Sequence, residues 1–261
     1  MPQLEVTLHS EVLGRDERVV CFFPNPSTRS NGADAKRYVF EPGVLYQTIW
    51  LLNSEVGNQW DWPQRTTAWD TVDSVNMIAV CPYIRELTGA GESGDYMKYL
   101  AVELPEKLGR ILPVSMEKQD NFLAAPSWGA YFALRTAMRY PQRYASVCAM
   151  SGPLDVVSFL KQSNKADKAI ELENTDFDLK SMLRKNGGKT TPMPVIFCMT
   201  GTDDDTYASN ISFVETLRET EHPYFYFEGR GKHDWAHWSS YLRIFVEQEQ
   251  GIRWAPIHPN R

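Results

Sequence analysis

The chain has 261 residues, 43% of them apolar and 23% charged, and 27 basic against 33 acidic side chains give a net charge of −6. A chain of that length accommodates one α/β domain whose core is large enough to stand without disulfides or metals. The charge is spread out rather than gathered in a stripe or tail, which excludes the usual nucleic-acid binders and proteins that ride on anionic membranes.

The N-terminus, Met1-Pro2-Gln3-Leu4-Glu5, lacks a positive start followed by an apolar run, and no apolar stretch reaches membrane-spanning length. The expectation is a cytoplasmic protein with no signal peptide. Four cysteines, Cys21, Cys81, Cys148 and Cys198, each sit in or at the end of a short apolar run, and none forms a C-x-x-C pair. They read as buried core thiols in a reducing compartment, not as a zinc or redox centre.

In chain order, residues 4–9 and 18–23 predict two strands around a turn containing Gly14, an antiparallel hairpin. A polar loop rich in Pro, Ser, Asn and Gly follows at 25–36. Short apolar runs then alternate with helix-period segments. The runs are 44–52, 77–81, 121–125, 145–150, 194–199 and 223–227; the helices are 96–112 (kinked or restarted at Pro105), 128–139, 212–218 and 235–247. Continuously apolar runs alternating with helices predict a mostly parallel sheet covered on both faces. Residues 154–189 break the rhythm: a long charged connection with helical pieces at 156–162 and 179–184, read as an insertion over the sheet edge that roofs a pocket. The whole of 1–261 is otherwise expected to be one domain, with no internal repeat.

Chemistry concentrates where the strand 121–125 runs through Pro126 into Ser127 and directly into a helix of small and apolar residues. That is the setting of a nucleophile elbow, whose tight turn demands small residues two before and two after the serine. Here they are Ala125 and Gly129, so the pattern is A-x-S-x-G. The competing reading is a serine that caps the helix at Trp128, and both can hold at once. A serine hydroxyl needs a base, and the base a third group to orient it; in this setting the chain order is serine, acid, histidine. An acid is available among Asp203, Asp204 and Asp205, at the end of the buried run 194–199, or these residues form a solvated turn. Of five histidines, His9 precedes the serine, and His222 and His258 are each followed by proline and read as surface. His237 lies within the last helix and reads as structural. That leaves His233, in the loop after the last strand, as the base. Backbone donors for an oxyanion are expected from Trp128, next to the serine, and from the loop after an early strand, Leu51 to Asn58.

These segments together resemble the Putative esterase family of α/β-hydrolases, its tributyrin-esterase branch above all, with esterase D, feruloyl esterase modules and the antigen 85 mycolyltransferases as other branches. Leu51-Leu52-Asn53-Ser54 through Trp60-Asp61-Trp62 resembles L-L-H-G and its downstream N-x-x-x-W; Phe122 to Tyr131 resembles the elbow; Gly201-Thr202-Asp203-Asp204 resembles G-T-E-D; and Gly231-Lys232-His233-Asp234-Trp235 resembles G-G-H-D-W. The resemblance implies an α/β-hydrolase fold and a serine carboxylesterase for short acyl esters. It implies Ser127 as nucleophile, Asp204 as acid and His233 as base, and a small-molecule ester as substrate, with no metal or organic cofactor. Relatives often assemble, so a homo-oligomer is also expected. By position the second oxyanion donor is Glu55, with Ser54 as the alternative, and Trp60 and Trp128 are candidate pocket walls. Two departures stand out: Ala125 for the first elbow glycine, and Asn53-Ser54 for the histidine and glycine of L-L-H-G. They leave open an acyltransferase with the same triad, or a binding protein that has kept the fold.

Overall fold

A computed structural model describes residues 2–24, 43–87, 93–186 and 192–251. Among the described residues eight strands form one sheet: β1 Gln3–Ser10, β2 Arg15–Phe22, β3 Thr48–Leu51, β4 Ile78–Pro82, β5 Asn121–Pro126, β6 Ser146–Met150, β7 Val195–Gly201 and β8 Tyr224–Gly229. Their order is β1-β2-β4-β3-β5-β6-β7-β8. β1 pairs antiparallel with β2, and β2 antiparallel with β4; every other pair is parallel. The expected α/β-hydrolase architecture, a mostly parallel sheet with an N-terminal hairpin, is what forms. The expected loop at 25–36 and His258 lie outside the described residues.

Each central strand is buried on both faces because its alternate residues enter two different cores. Trp50, Leu123, Val147 and Ile196 point to one side, where they meet the helix of residues 93–108, α5 (Trp128–Arg139) and α9 (Tyr207–Glu219). Ile49, Phe122, Cys148 and Phe197 point to the other, against α1 (Asp61–Arg65), α2 (Ala68–Ser74) and α10 (Trp235–Glu249). This is why the runs read as solid apolar blocks. All four cysteines are free and buried within these layers, and burial pushes the Cys21 thiol up to about 12.

Several boundaries differ from the sequence reading, each for a local reason. The run 44–52 yields only four strand residues, since Tyr46 makes a single bridge to Val114. The segment 96–112 is neither one helix nor two: α3 (Ser93–Lys98) passes through a wider π turn at Tyr99–Glu103 into α4 (Leu104–Leu108). Pro105 has no N–H to offer the preceding turn, and the ladder shifts register to absorb the loss. α9 starts at Tyr207, earlier than expected, because Ser209 and Asn210 broke the apolar period although both are buried. α1 and α2 were not foreseen, being too short to show a period.

Among its described residues the connection after β6 carries three helices, α6 Val156–Gln162, α7 Ala166–Leu172 and α8 Leu179–Asn186; α7 has no counterpart in the sequence reading. Two anchors tie it down. Tyr131 Oη and Arg135 Nε of α5 donate to the carbonyls of Phe177 and Asp176 at 2.6 and 3.0 Å. Asp155, buried at the start of α6, accepts from the Ser158 amide (3.1 Å), Ser212 Oγ (2.6 Å) and Lys180 Nζ (3.0 Å), joining α6, α8 and α9. Among the described residues no helix is long and apolar enough to cross a membrane.

Asp155→Ala is expected to remove a helix cap and strand a half-buried lysine, lowering stability by roughly 2–3 kcal/mol in urea titrations. Burial alone would raise the Asp155 carboxyl, but its donors pull it below the ordinary value. Its contribution is therefore complete above the unfolded carboxylate pKa of ~3.9 and disappears as pH falls through the lower folded value.

Candidate active site

At the end of β5 the backbone turns so sharply that Ser127 adopts φ 55° and ψ −135°, a conformation an L-residue reaches only when its surroundings impose it. The Ser127 amide donates to Met150 O of β6 and its carbonyl accepts from Ala130, both at 2.9 Å. Gly129 explains half of the elbow pattern: a Cβ there would run into the carbonyl of Asn53. Ala125 explains the other half, since its methyl group stands 3.3 Å from that same missing Cβ, so it is Gly129 that makes the room. Ser127 occupies the cap position of α5, but its hydroxyl makes no capping bond. It is instead 3.0 Å from His233 Nε2.

His233 lies between β8 and α10. Its Nδ1 is 3.1 and 3.2 Å from the two carboxylate oxygens of Asp204. A carboxylate only accepts, so Nδ1 carries the proton and Nε2 is left to accept from the serine. Asp204 is held in turn by the Thr206 amide and hydroxyl, at 2.8 and 2.7 Å to Oδ1. The acid and base loops are laced together: Thr202 and Asp203 donate to Gly229 O and Gly231 O, each at 2.9 Å. The Trp238 ring meets the imidazole edge to face, with centroids 4.9 Å apart. Of the three consecutive acids, Asp204 is the buried one; Asp205 reaches Nδ1 at 3.5 Å with its side chain 77% exposed. The grouping of Asp204, Asp205 and His233 could also hold a cation, but it is the same set whose histidine nitrogens are already hydrogen-bonded.

Burial works against charge on both partners, and their contact overrides it. The Asp204 carboxyl is held far below the carboxylate range by His233 and Thr206, although burial would raise it. His233 is raised above 6.5, although burial would lower it, because the Asp204 carboxylate supports the imidazolium.

Facing the elbow is the loop after β3. Asn53 ties it to the exit of β4: Nδ2 donates to Ser54 O (2.8 Å) and Ile84 O (3.0 Å), and Oδ1 accepts from the Ile84 amide (2.8 Å). The Ser54 amide and hydroxyl are both 3.3 Å from Asp61 Oδ2. Among the described residues the backbone amides of Glu55 and Trp128 have no acceptor. Glu55 and Trp128 line a cavity of about 410 Å³, with Phe159 and Leu160 of α6 and Lys165 and Lys168 at and in α7. Trp60, expected in the same pocket, instead lines a separate cleft of about 820 Å³ with Arg18, Tyr83 and Arg85.

The remaining histidines are placed as follows. His237 bonds Asp234 at 2.7 Å, consistent with the expected structural role, and His9 pairs with Asp16 on the exposed hairpin. His222 is not a surface residue: it is buried, with Nε2 3.0 Å from Pro194 O. Sequence reasoning missed Asp61 and Thr206. Thr206 had a signal in the Asp-x-Thr spacing of an Asx turn; Asp61 had none, since nothing in Trp60-Asp61-Trp62 announces a buried carboxylate.

Comparison with known proteins places residues 46–244 within the family model described as Putative esterase. The acetyl esterase of Caldicellulosiruptor saccharolyticus is 20% identical over 93% of this chain and 96% of its own length. The S-formylglutathione hydrolase of Staphylococcus aureus superposes with a TM-score of 0.79 at 18% identity, covering 95% of this chain and 98% of that one. A fluorophosphonate-binding serine hydrolase from the same organism gives 0.80 at 19% identity, with the same coverage. At these identities the superpositions establish a shared fold.

The imidazole of His233 is expected to titrate above 6.5 by NMR, and in Asp204→Asn to shift downward, because burial is then opposed only by Asp205 and Asp234. The raised pKa stabilises the folded state fully below the unfolded value near 6.5, and this contribution is lost as pH rises through the folded one.

Proposed function

From the premise that the chain belongs to the Putative esterase family and is an ester hydrolase, we propose that it is a serine carboxylesterase acting through an acyl-serine intermediate. The observation that carries this reading is the unbroken chain of contacts from Asp204 through His233 to Ser127 Oγ.

Ser127 Oγ attacks the ester carbonyl while His233 Nε2 takes its proton. The imidazolium so formed is what the Asp204 carboxylate stabilises, and Nε2 then returns the proton to the departing alcohol. Water, deprotonated by the same nitrogen, attacks the acyl-serine and releases the acid. The negative charge on the carbonyl oxygen is met by the amides of Trp128 and Glu55. The engagement of the Ser54 amide by Asp61 favours Glu55 over Ser54 for this role. Glu55 is exposed and lines the cavity, which keeps its charge out of the core.

The substrate is a small-molecule ester whose acyl group enters the cavity between Trp128 and α6. The cavity volume of about 410 Å³ exceeds that of an acetyl or butyryl group. A cytoplasmic address belongs to the same reading, supported by four buried thiols that remain unpaired.

The wild-type protein is expected to hydrolyse p-nitrophenyl acetate and butyrate and to be labelled by a fluorophosphonate. Ser127→Ala loses the label, and its kcat falls by roughly 10⁴-fold or more. Undiminished turnover in Ser127→Ala would sink the assignment. Because the base must be neutral, kcat/KM rises with pH through a midpoint above 6.5.

A further inference from the structure

The loop that carries Glu55 has no regular structure, yet an oxyanion donor has to be aimed before the substrate arrives. The loop closes around one buried side chain. Asp61, only 4% exposed, projects from α1 into the loop, and its Oδ2 receives both the amide and the hydroxyl of Ser54. The chain then bends back on the same carboxylate: a Cβ on Gly57 would land on it, so glycine alone allows the loop to close this tightly. The Asp61 amide in turn holds Asn58 O at 3.1 Å. α1 is fixed from below by Trp62 Nε1, which donates to Leu52 O at 2.7 Å.

The orientation of the Glu55 amide follows. Its N–H shares a planar trans peptide with Ser54 C=O and must point the opposite way. Ser54 O is held by Asn53 Nδ2 at 2.8 Å and by the Gly57 amide at 3.2 Å. Asp61 sets where Ser54 lies, and the two donors on Ser54 O set which way the next N–H points. Asn53 O, against Gly129, docks the assembly on the start of α5, where the Trp128 amide lies.

We propose that Asp61 is a positioning residue for catalysis, its carboxylate clamping Ser54 so that the Glu55 amide is preorganised toward the oxyanion. The proposal rests on the serine-esterase reading. It also accounts for Ser54 in place of a glycine, because the hydroxyl supplies a second donor to the clamp. Burial raises the Asp61 carboxyl, while the Ser54 and Asn58 amides and Arg65, 3.6 Å away, support its charge.

The test uses the full-length protein, with active serines counted by fluorophosphonate titration. Per titrated serine, Asp61→Ala is expected to lower kcat for p-nitrophenyl butyrate by roughly 10- to 100-fold with KM within about twofold. Asp61→Asn, which keeps one acceptor for Ser54, should recover part of the loss. Gly57→Ala, which forces the carboxylate aside, should show the same split, and its effect should shrink in the Asp61→Ala background. The Ki of butylboronic acid, whose serine adduct puts an oxygen in the hole, should weaken in step with kcat/KM. A purely structural role would cost melting temperature and titratable serines and leave per-site kcat and boronate affinity unchanged; that result overturns the proposal, as does a loss confined to KM. If Asp61→Ala does not fold, Gly57→Ala and Ser54→Ala give the same reading. Turnover surviving in Ser127→Ala overturns the serine reading beneath it, whereas turnover lost in Ser127→Ala but intact per serine in Asp61→Ala overturns this inference alone.

Discussion

The structure depends on one strained residue. Ser127 is held in a left-handed conformation that costs on the order of 1–3 kcal/mol, and it is held there by parallel pairing on both sides of β5 and by the Met150 carbonyl. The strain lifts the hydroxyl clear of the sheet and starts α5 at once, so that the next amide is free. Everything else at this edge is arranged around that turn. β3 and its loop come close to the start of α5 because Gly129 has no side chain, and the loop after β8 brings His233 to the hydroxyl while the loop after β7 brings Asp204 to His233. Parallel strands bring these loops to one edge by topology alone, while the turn decides which of them can touch.

The charge pair beyond the serine shows why burial and contact have to be weighed together. Asp204 and His233 are both in surroundings that disfavour charge, yet both are shifted toward it, the acid downward and the base upward. Burial removes the water that would compete for the contact, so the fixed partners dominate. Thr206 adds to the hold of the histidine, because its two donors help keep the carboxylate ionised and aimed. Asp205 reaches the same nitrogen from solvent, where screening weakens it. The choice among three consecutive acids was thus a matter of burial.

Burial of that kind is also where sequence reading ran out. The doubly buried strands were legible because both faces had to be apolar, and α5 was legible to the residue because its small and apolar residues follow a serine without interruption. Ser127 and His233 were legible from chain order and flanking elements. The choice of Asp204 needed a family pattern, since local spacing treats three aspartates alike. What escaped were features carried by single long-range contacts: His222 turned inward to Pro194, Asp61 buried between two tryptophans, and Trp60 facing a different cleft from Trp128. The π turn escaped for a related reason. Pro105 announced a defect, and only packing decided that the helix would pass through it.

The two departures from the family pattern then read as compensated changes. Ala125 is tolerated because the room in the elbow comes from Gly129. Asn53 and Ser54, which looked like losses, each make contacts that hydrogen or imidazole could not make in the same way: the Asn53 amide bridges β3 to the exit of β4 through two hydrogen bonds to Ile84 and holds Ser54 O with a third, and the Ser54 hydroxyl adds to the hold of Asp61. A loop stapled at both ends can keep an amide in place with any side chain at the next position, including a glutamate. That freedom leaves Glu55 at the cavity that Lys165 and Lys168 of the insertion also line. The same stapling frees the side chain from holding the loop, because these hydrogen bonds are made by Asn53, Ser54 and Asp61 and none of them uses the Glu55 side chain.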